Sequence, residues 1–130
     1  MKGFDKSPGT ESGYELHAAE YKILFESTLD ALVVFDPGLK RFIMCNPASC
    51  KLFGFSDSEE FMQMSPSDLS AEKQPDGRVS SAAVEEIVKR VLIEKHIEGR
   101  WLYKRKGGED FLSNVKLSLI YLSTIVRLNS

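Results

Sequence analysis

Two cysteines, two histidines, a few carboxylate pairs and one basic run are the residues here whose types could carry chemistry. Cys45 and Cys50 are too few for a disulfide framework, and the pattern fits reduced thiols in a cytoplasmic protein. His17 and His96 lie in unrelated contexts, and the serines, histidines and acids form no recognisable nucleophile set. His96 reads as a cation at a helix end, near the C-terminal dipole. Glu59-Glu60 and Glu85-Glu86 read as a capping residue and solvated helix faces rather than catalytic carboxylate pairs. Lys106-Gly107-Gly108 has the glycines of a phosphate loop, but no helix follows it, so a hairpin turn fits better. Lys104-Arg105-Lys106 reads as an exposed strand end. No catalytic set emerges, and the chain is not expected to be an enzyme by itself.

Composition bounds the remaining classes. The 130 residues favour one domain, and 42% hydrophobic content is enough for one core without disulfides or metal staples. A formal net charge of -2 argues against a nucleic-acid partner, which would need a strongly basic face. No run of about 18 apolar residues is present, so no membrane span is expected in this segment. Residues 1–13 are polar and read as a disordered lead-in without a signal-peptide core, leaving one domain over 14–130. There is no internal repeat and no low-complexity tract.

The elements that must position any site follow from periodicity and punctuation. Ser12-Gly13-Tyr14-Glu15 fits a capping box opening a helix to about Ser27. At about 100° per residue, Leu16, Ala19 and Ile23 share one side of it, and Tyr14, Tyr21 and Phe25 nearly the opposite side. One stripe can pack on the core; the other needs a second partner. Ala31 to Asp36 and Arg41 to Cys45 read as strands joined by the Asp36-Pro37-Gly38 turn. Asn46-Pro47 reads as a helix cap with proline in the first turn, the helix ending at Gly54. Ser56-Asp57-Ser58-Glu59 and Ser65-Pro66-Ser67-Asp68 are two further capping boxes on short helical turns. Glu72 to Arg78 is a polar loop. Val84, Ile87, Val88, Val91 and Leu92 give a helix over about Ser81 to His96 with one buried face. Ile97 to Lys106 has strand character, with Trp101, Tyr103 and Arg105 on one face. After the Lys106-Gly107-Gly108-Glu109 turn, Phe111, Ser113, Val115, Leu117 and Leu119 alternate with wetter residues in a long strand. This is an α+β arrangement.

That order resembles the PAS fold, in which an antiparallel five-stranded sheet carries short helices and one long helix across one face. The segments that carry the resemblance are Leu24 to Ser27 leading into Asp30 to Asp36, Asn46 to Phe55, Ser65 to Ser70, Gln74 to Arg78, and Trp101 to Ile120. The run from Phe111 resembles the family's central strand. Two departures stand out. The first hairpin is about one residue longer than usual. The last inter-strand turn is missing its glycine, and Leu128 stands where the family's closing motif has aspartate. A shortened or missing last strand is therefore expected, leaving an open edge that invites a second chain.

The resemblance implies a sensory or regulatory domain of a prokaryotic signal-transduction protein, such as a sensor histidine kinase or a GGDEF-type cyclase, coupled to an output domain. The family's flavin photosensors use a cysteine in a Gly-x-Asn-Cys-Arg stretch that is missing here, with Cys50 on the Asn-Pro helix instead, so no photoadduct is expected. Haem-binding members place a histidine inside the long helix; His17 and His96 do not fit, and the cofactor stays open. The resemblance places a small apolar or aromatic ligand between long helix and sheet, with Phe35, Met44, Phe53, Phe61, Ile87, Val91, Trp101, Tyr103 and Val115 as lining candidates. A ligand-free homodimerisation module is the alternative, with Tyr14, Tyr21 and Phe25 as the interface.

Overall fold

The computed structural model describes residues 20, 22–120 and 123–129. Helical residues 22–27 end the leading helix where the sequence places its end; Tyr14, His17, Tyr21 and the Ser12 capping box lie outside the described residues. The elements that follow are β1 (Ala31–Asp36), β2 (Arg41–Cys45), α1 (Pro47–Phe53), α2 (Ser58–Met62), α3 (Ser80–Glu94), β3 (His96–Lys104), β4 (Asp110–Ile120) and β5 (Ser123–Asn129). The α+β class and the five-stranded antiparallel sheet are as the sequence predicts.

Asn46 organises the first half of the chain. It is fully buried and caps α1, its Oδ1 accepting from Ser49 N–H at 3.0 Å and from Leu32 N–H at 2.9 Å. Its Nδ2 donates to the Asp30 carbonyl at 2.9 Å, so one side chain joins the helix to the start of β1. Gly54 closes α1 in the left-handed conformation, φ 84°, where a side chain would be strained. The next cap is shifted by one residue from the sequence reading. Asp57, rather than Ser56, caps α2 by accepting from Glu60 N–H at 2.8 Å, and Glu60 reaches back to Ser56 N–H at 3.3 Å. The Ser65–Asp68 box forms reciprocally, at 3.0 and 3.1 Å.

The last strand overturns the expectation of a shortened or missing edge. β5 has seven residues and lies at the centre of the sheet, in the order β2-β1-β5-β4-β3. Its register pairs Val126 with Val33 on one side and Leu117 on the other. Pairing of Ile120 with Ser123 leaves only Tyr121 and Leu122 for the connection, so no longer glycine-containing turn is required. Alternation of Thr124, Val126 and Leu128 toward the core supplies the pattern that the missing motif obscured. β4 is interior, but β5 and not β4 is the middle strand.

The long helix is also trimmed. Lys95 caps it in the left-handed conformation, φ 72°, and His96 is already in β3. His96 follows the cap rather than ending the helix, and its ring bridges two strand residues: Nδ1 lies 2.8 Å from Ser118 Oγ and Nε2 2.8 Å from Glu98 Oε2. Ser80, Ala83 and Val91 are the buried residues of α3, while Leu92, about 100° further round, is exposed rather than on the inward face.

Candidate ligand-binding cavity

The space between α3 and the sheet holds a cavity of about 260 Å³. Its floor is the inward face of the sheet: Val33 and Phe35 from β1, Val115 and Leu117 from β4, and Thr124, Val126 and Leu128 from β5. Period-two alternation puts these residues on one face, as their burial shows. Ile97, Trp101 and Tyr103 of β3 form one side, and Val84, Ile87, Val88 and Val91 of α3 form the roof. Phe53 of α1, Phe61 of α2 and Leu69 close one end.

Polar groups near the cavity are few, and most are engaged. Trp101 Nε1–H donates to Ser70 Oγ at 2.8 Å, and Ser70 Oγ donates to the Pro66 carbonyl at 2.7 Å. Gln74 is buried in what reads as a polar loop. It donates to Ser80 Oγ at 2.8 Å and to the Leu102 carbonyl at 3.1 Å, and accepts from Leu102 N–H at 2.8 Å. Gln74 thus ties the start of α3 to β3. Burial pushes the Tyr103 phenol up, so it stays protonated through the physiological range. Thr124 Oγ1 is buried and has no hydrogen-bond partner among the described residues. The charged lining residues Arg78, Arg90, Glu98 and Arg100 are all exposed and sit at the margin. Arg78 pairs with Asp76 and Glu86, and Arg90 with Glu94.

The structure brings Phe35, Phe53, Phe61, Ile87, Val91, Trp101, Tyr103 and Val115 together around this cavity. Met44 does not belong with them; it is 41% exposed. A β-bulge is the reason. Val34 pairs with Met44 and Phe35 with Phe42, leaving Ile43 as an extra residue that turns Phe42 inward and Met44 outward. Phe25 needs a correction too: it is 3% exposed within the chain itself, so its ring is not on offer to a second copy, and Ile23 and Leu24 face outward instead. Sequence reasoning missed Phe42, although plain alternation puts it on the face then assigned to Met44, and missed Thr124, Val126 and Leu128 because it doubted their strand.

The other chemistry-bearing residues lie elsewhere. Cys45 and Cys50 are buried free thiols with sulfurs 3.8 Å apart. Burial pushes the Cys45 thiol up to about 12 and raises Cys50 as well, which makes both poor nucleophiles. Glu60, in the first turn of α2, pairs with Lys106, which holds its carboxyl below the usual range. Arg105 also turns inward from the basic run: its guanidinium lies 4.2 Å from the Phe111 ring centre and donates to the Leu52 carbonyl. Arg105 and Lys106 thus clamp the β3–β4 turn onto α1 and α2 rather than marking a free strand end. Among the described residues no group of three or more His, Cys, Asp or Glu side chains could hold a metal ion. None of their helices is long and apolar enough to cross a membrane.

Comparison with known proteins gives the same fold. A family model described as a PAS domain matches residues 19–88. No curated protein matches the sequence. A domain of a sensory box sensor histidine kinase/response regulator from Geobacter sulfurreducens superposes with a TM-score of 0.77 at 17% identity, covering 90% of this chain and 96% of that one. The PAS domain of a protein from Colwellia psychrerythraea gives 0.74 at 16% identity, covering 88% and 96%. A PAS domain of a LuxR-family transcriptional regulator from Burkholderia thailandensis, solved in complex with ethanol, gives 0.66 at 19% identity, covering 84% and 95%.

Proposed function

The chain belongs to the PAS domain family, and on that premise we propose that it is a sensory domain that binds a small molecule between α3 and the sheet and reports occupancy to an output domain. The observation that carries this reading is the apolar-walled cavity of about 260 Å³. Its size falls just under the range of roughly 300–1,000 Å³ usual for small-molecule sites. The structural likeness to a histidine-kinase domain supports a parent signalling protein of that kind, and a cytoplasmic setting suits it. The ethanol complex of the Burkholderia domain supports a small neutral occupant.

The route of the signal follows from the elements. A ligand that fills the cavity changes how α3 rests on the sheet. α3 passes directly into β3 through Lys95, so its movement bears on β3 and the strands paired to it. The leading helix runs into β1, so a change in the sheet also reaches that helix. For this to be regulation the ligand must bind two states unequally; about 1.4 kcal/mol of difference shifts their ratio tenfold. Native mass spectrometry of freshly purified protein tests the reading. A retained small molecule, displaced on denaturation, is the expected result. A mass equal to the bare chain, with no probe molecule raising the melting temperature, would sink it.

Dimerisation is a second reading, favoured by one observation. Ile23 and Leu24 on the leading helix are 64% and 65% exposed, and Leu29 after it is 96% exposed. Paired against a twin, that helix would bury them. Light scattering of Leu24→Glu and of Ile23→Glu should then show monomers where the parent chain is a dimer. An unchanged mass for both removes the helix from the interface.

A further inference from the structure

Thr124 stands apart from the other buried polar residues. Asn46, Ser49, Ser70, Gln74, Ser80 and Ser113 all have hydrogen-bond partners. Thr124 is 2% exposed, lines the cavity, and its Oγ1 has none among the described residues. Its cross-strand neighbours are Phe35 and Leu119, which offer no polar side chain. A buried hydroxyl without a partner destabilises the fold, and valine, of the same shape, would not.

The walls restrict what could complete that hydroxyl. The interior is aliphatic and aromatic, and the charged side chains sit exposed at the margin. An ionised group brought to Thr124 would lose its water without gaining a countercharge, so the occupant must be neutral there. A cavity of roughly 150 Å³ holds benzene, so about 260 Å³ holds one ring with a few further atoms.

A way in is also visible. β3 is an edge strand, and its inward face runs Ile97, Gly99, Trp101 and Tyr103. Gly99 sits opposite Val115, and a Cβ built on it meets nothing within 4 Å. The later half of the strand is covered, since Ala71 N–H donates to the Leu102 carbonyl at 3.0 Å and Lys104 N–H to the Leu69 carbonyl at 2.7 Å. Gly99 itself is exposed and lines the cavity.

We propose that the cavity admits a neutral, single-ring-sized molecule past Gly99 and that Thr124 Oγ1 hydrogen-bonds its one hydroxyl or carbonyl group. This rests on the cavity being a ligand site, and the test separates the two claims. Phenol and toluene share a shape and differ in the hydroxyl. Their affinities for the full chain, for Thr124→Val, for Thr124→Ser and for Gly99→Leu are measured by NMR titration. Thr124→Val should weaken phenol on the order of tenfold while leaving toluene within about twofold. Thr124→Ser should retain the preference, and Gly99→Leu should slow the exchange of both probes, read from the line shapes of the same titration. Without ligand, Thr124→Val should melt higher than the parent. If both probes bind but Thr124→Val leaves their ratio unchanged, or melts no higher, the anchor is overturned. Unchanged exchange rates for both probes in Gly99→Leu overturn the entry route. If neither probe binds the parent chain, the cavity itself is not a site for such molecules and both claims fall.

Discussion

The two ends of the core are built on different principles. At the α1–α2 end, aromatic rings pack edge to face. Phe53 has its ring centre 5.5 Å from Phe61, 5.2 Å from Tyr103 and 5.3 Å from Phe111. Phe61 lies 5.5 Å from both Phe42 and Phe55. Lys106 N–H donates to the Phe53 carbonyl at 2.8 Å, and the Arg105 and Lys106 side chains hold the β3–β4 turn against the same helices. At the α3 end, half-buried Val84, Ile87 and Val88 of the helix face branched aliphatics of the sheet and a glycine across open volume. Large stiff rings with complementary edges fill space well; short side chains on a helix resting over a sheet do not. The difference teaches that rigidity and responsiveness can be apportioned within one small core. The aromatic end fixes the frame, and the α3 end can change its packing without dissolving that frame.

Phe61→Ala gives the largest effect expected from this contrast. The ring is fully buried and touches three others, so its removal leaves a cavity that rigid neighbours cannot fill. A loss of about 3–5 kcal/mol by urea denaturation is expected. A loss below about 1 kcal/mol would show that this end relaxes as easily as the other. Asn46→Ala comes next, at about 2 kcal/mol, because it strands the Leu32 N–H and the Asp30 carbonyl and removes one of the two acceptors of Ser49 N–H.

Ile87→Ala sharpens the comparison from the other side. A well-packed isoleucine costs about 2–5 kcal/mol when cut to alanine. Ile87 is only half-buried and already borders open space, so about 1 kcal/mol is expected by the same measurement. A loss of 3 kcal/mol or more would mean that α3 is packed as tightly as the rings, which is incompatible with a soft compartment.

Much of this frame was legible in the chain. Asn46-Pro47, Gly54 and the alternation through Phe111–Leu119 are local signals, and each marks a boundary or face that the structure contains. What stayed hidden was set by neighbours rather than by local sequence. β5 carries no punctuation before it, because Ile120 and Ser123 pair almost at once and its identity comes from the two strands it joins. Gln74 looks like any loop residue, and only the approach of β3 and the start of α3 gives its side chain three hydrogen bonds. Thr124 has no sequence signature at all: an orphan hydroxyl is defined by what surrounds it.

The bulge in β2 belongs with these, and it supports the smallest of the predictions. Alternation from Arg41 places Phe42 and Met44 on one face, yet the extra residue at Ile43 sends them to opposite faces. Phe42 joins the ring cluster, at 5.6 Å from Phe35, and Met44 lies on the outer surface of the sheet. Met44→Gln should therefore touch neither end of the core. A stability change within about 0.5 kcal/mol and unaltered phenol binding are expected. A loss of 2 kcal/mol or more would place Met44 inside after all; the register of β2 against β1 would then be wrong, and with it the wall that Phe42 is assigned.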